Sequence, residues 1–421
     1  MSGSPSGSSD ASLPGALADW RRRALVVIGA GVAAALHVGK LPPAVIALQQ
    51  SLGMTLVEAG FLLSLVQLAG MSAGLAFGLL ADRLGGRRSM LCGLALLAVA
   101  SACSAAGDSV TWLMGWRAVE GCGFLLVVLP APGLLRRLVA PDRVSAMMGL
   151  WGAYMPLATA LALLGGPLCI RALGWRGWWW SLAAVTTAAA VVLWRCVPAD
   201  VASSEAQERN ARWLEPLRRT LSAGGPWLVA ATFAMYSGQW LAVVGFLPTI
   251  YAQAGLSASS YGVLTALAAA VNIVGNIGAG RLLQRGVAPQ RLLVTGFVMM
   301  ALAAAAAFAG RDGEGLPSQL RYIAVLLFSG FGGLIPATLF ALALRVAPAP
   351  AAVSTTIGWV QQWSALGQFA GPPLVAWLAS RAGGWQLTWL ASGACSMVGL
   401  GLVVLLTQRL RAAVPQGIRR P

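Results

Sequence analysis

Acidic residues are scarce in this chain of 421 residues: 13 Asp and Glu stand against 29 Lys and Arg, and charged residues make up only 10% of the whole. It has one histidine, His37, and one lysine, Lys40. A polytopic membrane enzyme needs His, Asp or Glu clustered at an interface, so this supply argues against catalysis. The six cysteines (Cys92, Cys103, Cys122, Cys169, Cys196 and Cys395) form no C-x-x-C pair and have no histidine beside them. They read as small apolar packers, with neither disulfides nor a metal site. No cofactor is expected.

What is present is apolar. Hydrophobic residues reach 58% and the mean hydropathy is +0.74. A membrane-crossing helix needs about 20 apolar residues, and runs of that length recur along nearly the whole chain. The expectation is an all-α polytopic membrane protein of twelve spans, at 24–48, 56–81, 88–107, 110–136, 143–171, 177–197, 226–252, 258–281, 290–310, 318–344, 351–380 and 385–408. Residues 1–20 form a polar tail, and Arg21–Arg23 before the first apolar run reads as a signal anchor. The charged stretch 198–225 reads as a linker with an amphipathic helix near the membrane surface, and 411–421 as a second tail.

Arginine placement sets the expected orientation. Loops after even-numbered spans, with the C-terminal end, carry Arg83, Arg87, Arg88, Arg136, Arg137, Arg143, Arg281, Arg285, Arg291, Arg345, Arg409 and Arg411. The opposite loops carry only Arg171, Arg176, Arg311 and Arg381. Both termini are therefore expected in the cytoplasm, with the chain in the cell inner membrane. A net charge of +16 spread over helix ends is a topology signal, and nucleic acid is not an expected partner.

The two halves repeat. Gly60 and Gly78 are spaced as Gly262 and Gly280 are; Arg137–Pro141 is echoed at Leu344–Pro348, and Leu41-Pro42 at Leu247-Pro248. Gly166-Pro167 with Gly174-Trp175 is echoed by Gly371-Pro372 with Gly384-Trp385, in the same order. One six-span unit has been duplicated, giving bundles expected at 21–197 and 226–410.

Between spans 2 and 3 lies Gly78-Leu79-Leu80-Ala81-Asp82-Arg83-Leu84-Gly85-Gly86-Arg87-Arg88, read as a charged turn. Together with the repeat, and with Leu113, Arg117, Glu120, Gly121 and Gly123 in span 4, it resembles the major facilitator superfamily over roughly residues 20–410. Gly39–Pro43 and Gly152–Pro156 are similar to segments of that family's cyanate and nitroimidazole porters. The resemblance implies two six-helix bundles around a midplane site that opens alternately to either side. It also implies a bias toward small polar or anionic solutes. The second copy of the turn has Gln284 where the first has Asp82, so an asymmetric gate is expected, formed by Gly78, Asp82, Arg83, Gly85, Arg87 and Arg88.

Candidate site residues follow from helical spacing. His37 and Lys40 share one face and read either as a cationic site for an anion, or as a snorkelling lysine beside a hydrogen-bonded histidine. Arg117 and Glu120 lie one turn apart; Glu120 is the one carboxylate well inside an apolar run, which makes it the candidate proton carrier or half of a structural ion pair. Asn272 and Asn276 occupy one face of span 8, opposite Gly70 and Gly74 in the repeat, and either line the pore or bond a neighbouring helix. Tyr154, Tyr236, Gln239, Gln361 and Gln368 supply neutral hydrogen-bonding groups for a small polar solute. The tryptophans from Trp175 to Trp180 read as an interfacial belt.

The expected function is a monomeric secondary transporter in the lipid bilayer, coupled to protons and carrying a small polar or anionic organic solute. A drug/proton antiporter is the alternative, although only Gly165-Gly166-Pro167 partly matches an antiporter motif. A non-transporting receptor or structural membrane protein is the reading from another class.

Overall fold

The computed structural model describes residues 13–140, 147, 150–200, 214–310, 315–349 and 352–412; the side chains of 13–19, Gly78, Leu79, Asp82, Arg83 and Ser354 are also outside the described set. Its α-helices are α1 (Leu13–Gly39), α2 (Val45–Leu52), α3 (Leu56–Ser64), α4 (Leu68–Leu84), α5 (Gly86–Ala106), α6 (Val110–Val128), α7 (Ala131–Leu138) and α8 (Tyr154–Cys196) in the first half. The short α9 (Leu214–Ser222) follows, then α10 (Gly224–Gln253), α11 (Ala258–Gln284), α12 (Pro289–Phe308), α13 (Ser318–Gly332), α14 (Leu334–Val346), α15 (Val353–Ala382) and α16 (Thr388–Ala412).

Among the described residues, ten helical stretches are long and apolar enough to cross a membrane. One of them, Leu150–Cys196, spans 47 residues, roughly 70 Å at 1.5 Å per residue and twice the depth of the hydrocarbon core. It breaks at Gly174, where φ is 71° and ψ 174°, a conformation open essentially to glycine alone. That single residue divides two crossings where the sequence suggested a loop from 171 to 177. The glutamine-bearing α15, with 30 residues, is long enough but more polar, and it completes the twelve.

Helix ends follow local chemistry. Pro42 and Pro43 stop α1 and open a 3-10 turn over Pro42–Ala44. Thr55 and Glu58 form a capping box at the start of α3. The expected turn at 78–88 is corrected: α4 stays helical to Leu84, and the chain reverses at Gly85 alone, with φ 86°. The described part of the linker includes α9, where Glu215 pairs with Arg219 one turn on.

Within the first half α1 packs on α8, and α5 on α6 and α8; within the second, α10 packs on α15 and α12 on α13 and α16. Contacts between the halves run along α3 and α4 against α15, and along α8 against α11. In lipid these contacts rest on close packing more than on water exclusion. They are tightest at the end opposite the arginines. A Cβ built on Gly60 would lie 2.9 Å from Pro373 Cα and 3.0 Å from Pro372 O, and one on Gly262 would lie 3.2 Å from Leu163 O. Leu41, Leu48, Leu62, Leu63, Phe246 and Ala376 fill one buried cluster drawn from both halves at this end.

Candidate functional site

Among the described residues, two polar features bring candidate residues together: a sealed ionic cluster inside the first half, and a cavity between the halves.

The cluster begins with the proline stop. A helical carbonyl at position 38 would bond the N–H of residue 42, and Pro42 has none. Arg117, on α6, supplies donors in its place: Nη2 to Val38 O at 3.3 Å, Nη1 to His37 O, and Nε to Leu62 O at 3.2 Å. Its Nη1 also reaches Glu120 Oε2 at 2.8 Å, while Glu120 Oε1 accepts from Lys40 Nζ. Glu120 thus bridges two cations, one on each oxygen.

All three donors of Lys40 are engaged, by Glu120 Oε1, by Ser101 Oγ at 3.0 Å and by His37 Nδ1 at 3.5 Å. Thr186 donates its hydroxyl to Leu182 O, so the 2.7 Å bond to His37 Nε2 is donated by the imidazole. That leaves His37 Nδ1 as the acceptor Lys40 needs, and a neutral histidine satisfies the whole network. Lys40 Nζ also lies 4.7 Å from the Trp179 ring centroid, and Trp178 Nε1 donates to Lys40 O at 3.0 Å. Lys40, His37 and Glu120 are completely buried and Arg117 is 2% exposed. With His37 neutral the cluster carries two positive charges and one negative. Gly121, next to Glu120, lets α6 touch the Val66 backbone, which brings Arg117 within reach of Leu62 O.

Lys40 therefore does not snorkel. The tryptophans also depart from an interfacial belt: Trp178 and Trp179 are buried against this cluster, Trp175 is buried behind Trp179, and Trp180 is exposed. The chain has a buried charge to surround, and indole rings cover it while offering N–H and π-face contacts.

The cavity measures about 70 Å³ and is walled by Gln67, Gly70 and Gly74 from the second span, Phe124, Leu125, Val128 and Leu129 along α6 and its end, Tyr154 and Met155 on α8, and Gly358, Gln361, Gln362, Ser364, Ala365 and Gln368 on α15. A water molecule takes about 10–15 Å³ of such space, so there is room for roughly five non-hydrogen atoms. Gln67 Nε2 donates across the interface to Gln368 Oε1 at 3.0 Å, and Gln368 Nε2 to Ser364 Oγ at 3.2 Å. Gln362 Nε2 donates to Met71 O at 2.8 Å, two residues before a kink at Ala73. Among the described residues no charged side chain lines the space. Phe124 follows Glu120 by one helical turn, so α6 carries the cluster and the cavity wall on one element.

The expected site residues thus separate into groups. Tyr154, Gln361 and Gln368 meet at the cavity; His37, Lys40, Arg117 and Glu120 meet in the sealed cluster. Tyr236, Asn272 and Asn276 do neither: Asn272 Nδ2 donates to Tyr236 Oη at 3.1 Å and to Ser329 O at 2.8 Å, and Asn276 Nδ2 to Asn272 Oδ1 at 2.9 Å. Gln239 accepts from Ser392 at 2.6 Å and Ser396 at 3.2 Å. Tyr236, Asn272 and Gln239 tie helices of the second half together, Asn276 bonds Asn272 one turn back on its own helix, and none of the four is on the cavity. Gln67 and Gln362 do line it, and so do Gly70 and Gly74. Gln67 was missed, as a lone glutamine in an apolar run.

At the arginine-rich end, Gly78 sits within α4, and the side chains of Asp82 and Arg83 lie outside the described residues. The acid that caps the start of α5 beyond Gly85 is Asp200, which accepts from the backbone N–H of Arg87 at 3.1 Å and of Arg88 at 3.0 Å. Arg137 Nη2 approaches it at 3.4 Å, and Arg87 Nη2 donates to Trp194 O at 2.5 Å. Sequence reading assigned Asp200 to the linker; only the fold brings it to Gly85.

Comparison with known proteins matches this architecture. A fold neighbour is the crystal structure of a bacterial homologue of the human lysosomal transporter Spinster, inward-facing and occupied, with TM-score 0.75 and 13% identity over 91% of this chain and 96% of that one. The cyanate transport protein CynX of Escherichia coli (strain K12) is 26% identical over 395 residues, covering 90% of this chain and 95% of the relative. The methylenomycin A resistance protein of Bacillus subtilis (strain 168) is 33% identical over 125 residues, 30% of this chain and 26% of the relative. The tetracenomycin C resistance and export protein of Streptomyces glaucescens is 30% identical over 129 residues, 31% of this chain and 24% of the relative. This chain matches about a quarter of the length of each of those two resistance proteins. The Major Facilitator Superfamily model matches residues 24–311 and 228–420, and with the twelve crossings this means that the chain belongs to the Major Facilitator Superfamily and is a multi-pass membrane protein.

Proposed function

We propose that this protein carries a small polar or anionic organic solute across the cell inner membrane by alternating access, coupled to protons. The observation that carries the reading is the cavity between the halves, walled by carboxamides, a serine and a tyrosine and sized for a few heavy atoms. Residues 21–197 and 226–410 act as the two moving bodies, joined by 198–225, with both termini cytoplasmic. Opening toward the arginine-rich end parts α4 from α15; opening toward the other end breaks the contacts of Gly60, Gly262 and the mixed apolar cluster. The segment Gly78–Arg88 is the latch of the arginine-rich side, with Asp82 as its pivot and Asp200 holding its second helix in place.

Glu120 is the proton carrier. A proton on it cancels the one acid of the cluster and leaves Lys40 and Arg117 facing each other uncompensated in a dry interior. The cluster then has to rearrange, and α6 passes the change one turn along to Phe124 at the cavity wall. While Glu120 is ionised, the surplus positive charge favours an anion nearby.

A drug/proton antiporter is the second reading, favoured by the similarity to two resistance proteins over part of the chain. The small cavity favours the first. Flux in proteoliposomes, with and without an imposed pH gradient, over small carboxylates, cyanate and nitroheterocycles separates them. Export of lipophilic cations with no movement of any small polar solute would reject the preferred reading.

A further inference from the structure

The cavity's polar groups are not evenly available. Gln362 and Gln67 each spend the amide nitrogen on a protein acceptor, Met71 O and Gln368 Oε1. The backbone carbonyl of Met71 fixes which end of Gln362 faces it, because only the NH2 group can donate there. Its carbonyl oxygen is left buried with no partner. Gln67 Oε1 likewise accepts from nothing among the described residues, while Gln368 is engaged at both ends. Gly74 leaves space beside the Gln362 oxygen, where a Cβ would lie 3.7 Å from Oε1, while Gly70 lies 4.0 Å from Gln67 Oε1 by the same measure and admits the Ala365 methyl at 3.0 Å.

We propose that the cavity recognises its solute through hydrogen-bond donors, with Gln362 Oε1 and Gln67 Oε1 as acceptors. The solute class is a small primary carboxamide or a carboxylic acid in its protonated form. A bare anion without a donor, such as cyanate, leaves both of these oxygens unpaired and meets no charged side chain among the described residues of the lining. The inference rests on the cavity being the solute site, as proposed above. It narrows that reading: an acid enters with its proton, and the charge of the ionic cluster is felt from outside the cavity.

The test uses full-length protein in nanodiscs and two isomers of five non-hydrogen atoms, propionamide, which has N–H donors, and N,N-dimethylformamide, which has none. Millimolar propionamide should raise the unfolding midpoint and N,N-dimethylformamide should not. Gln362→Leu and, separately, Gln67→Leu should each weaken the propionamide effect about tenfold, the factor one ordinary hydrogen bond carries. Size-exclusion profiles show that each variant is folded, and either one alone suffices. An equal response to both isomers, no response to propionamide, a response to propionate at high pH or to cyanate alone, or a propionamide response unchanged in both variants overturns the proposal. Donor-specific binding without flux of any solute would reject the transport reading and leave this inference standing.

Discussion

Glu120→Gln should be the most damaging single change inside the membrane-spanning core. Among the described residues Glu120 is the only acid facing Lys40 and Arg117, with one oxygen on each. Replacing it by the neutral amide leaves both cations buried, and breaking such a pair costs about 3–5 kcal/mol. The partial offsets can be read from the contacts. Arg117 keeps three backbone carbonyls, and Lys40 keeps Ser101 and His37. Lys40→Met is milder, because Glu120 retains Arg117 at 2.8 Å and the cluster becomes neutral. Losing a charged hydrogen bond and the Trp179 contact should cost about 1–3 kcal/mol. In the double variant the interaction is already gone, so its cost should fall short of the sum by roughly 0.5–3 kcal/mol. Denaturant unfolding of the purified protein, followed by tryptophan fluorescence, measures the cycle. Strictly additive effects, or a Glu120→Gln protein as stable as the parent, would refute the assigned ion network.

Other substitutions probe separate parts of the account. Gly60→Val should prop open the end opposite the arginines, because its side chain would meet Pro372 and Pro373 backbone atoms; an impermeant thiol reagent should then label Phe246→Cys faster in a cysteine-free background, and an unchanged rate would reject the gate. Gly174→Ala places a side chain at φ 71°, ψ 174° and should lower stability by about 1–3 kcal/mol, read as a fall in thermal midpoint. Asp200→Ala removes the acceptor for the Arg87 and Arg88 N–H groups and should cost roughly 0.5–2 kcal/mol, with Asp200→Asn costing less; equal stability of all three proteins would dismiss the cap.

Much of this architecture could be read from the chain because membrane helices are constrained one at a time. Each must satisfy its own backbone and present about 20 apolar residues, so the spans and the duplication stand in the sequence. The grouping of site residues was less legible. His37 with Lys40, and Arg117 with Glu120, are visible as pairs at helical spacing. That they form one cluster depends on α1 stopping at Pro42 beside α6, a tertiary event. The buried role of Trp178 and Trp179 was hidden for the same reason: an indole at a helix end looks alike whether it faces headgroups or a buried ammonium. Asn272 and Asn276 are polar residues in an apolar run, and that signal does not separate a pore wall from a bond to a neighbouring helix. The fold turns Asn272 to Tyr236 and Ser329, and Asn276 back to Asn272.

Transport with Glu120 intact and replaced tests the central claim most directly. In proteoliposomes, an imposed pH gradient should drive accumulation of the solute by the parent protein. A Glu120→Gln protein that folds should still exchange solute across the membrane but no longer respond to the gradient. Gradient-driven accumulation undiminished in Glu120→Gln would contradict the account.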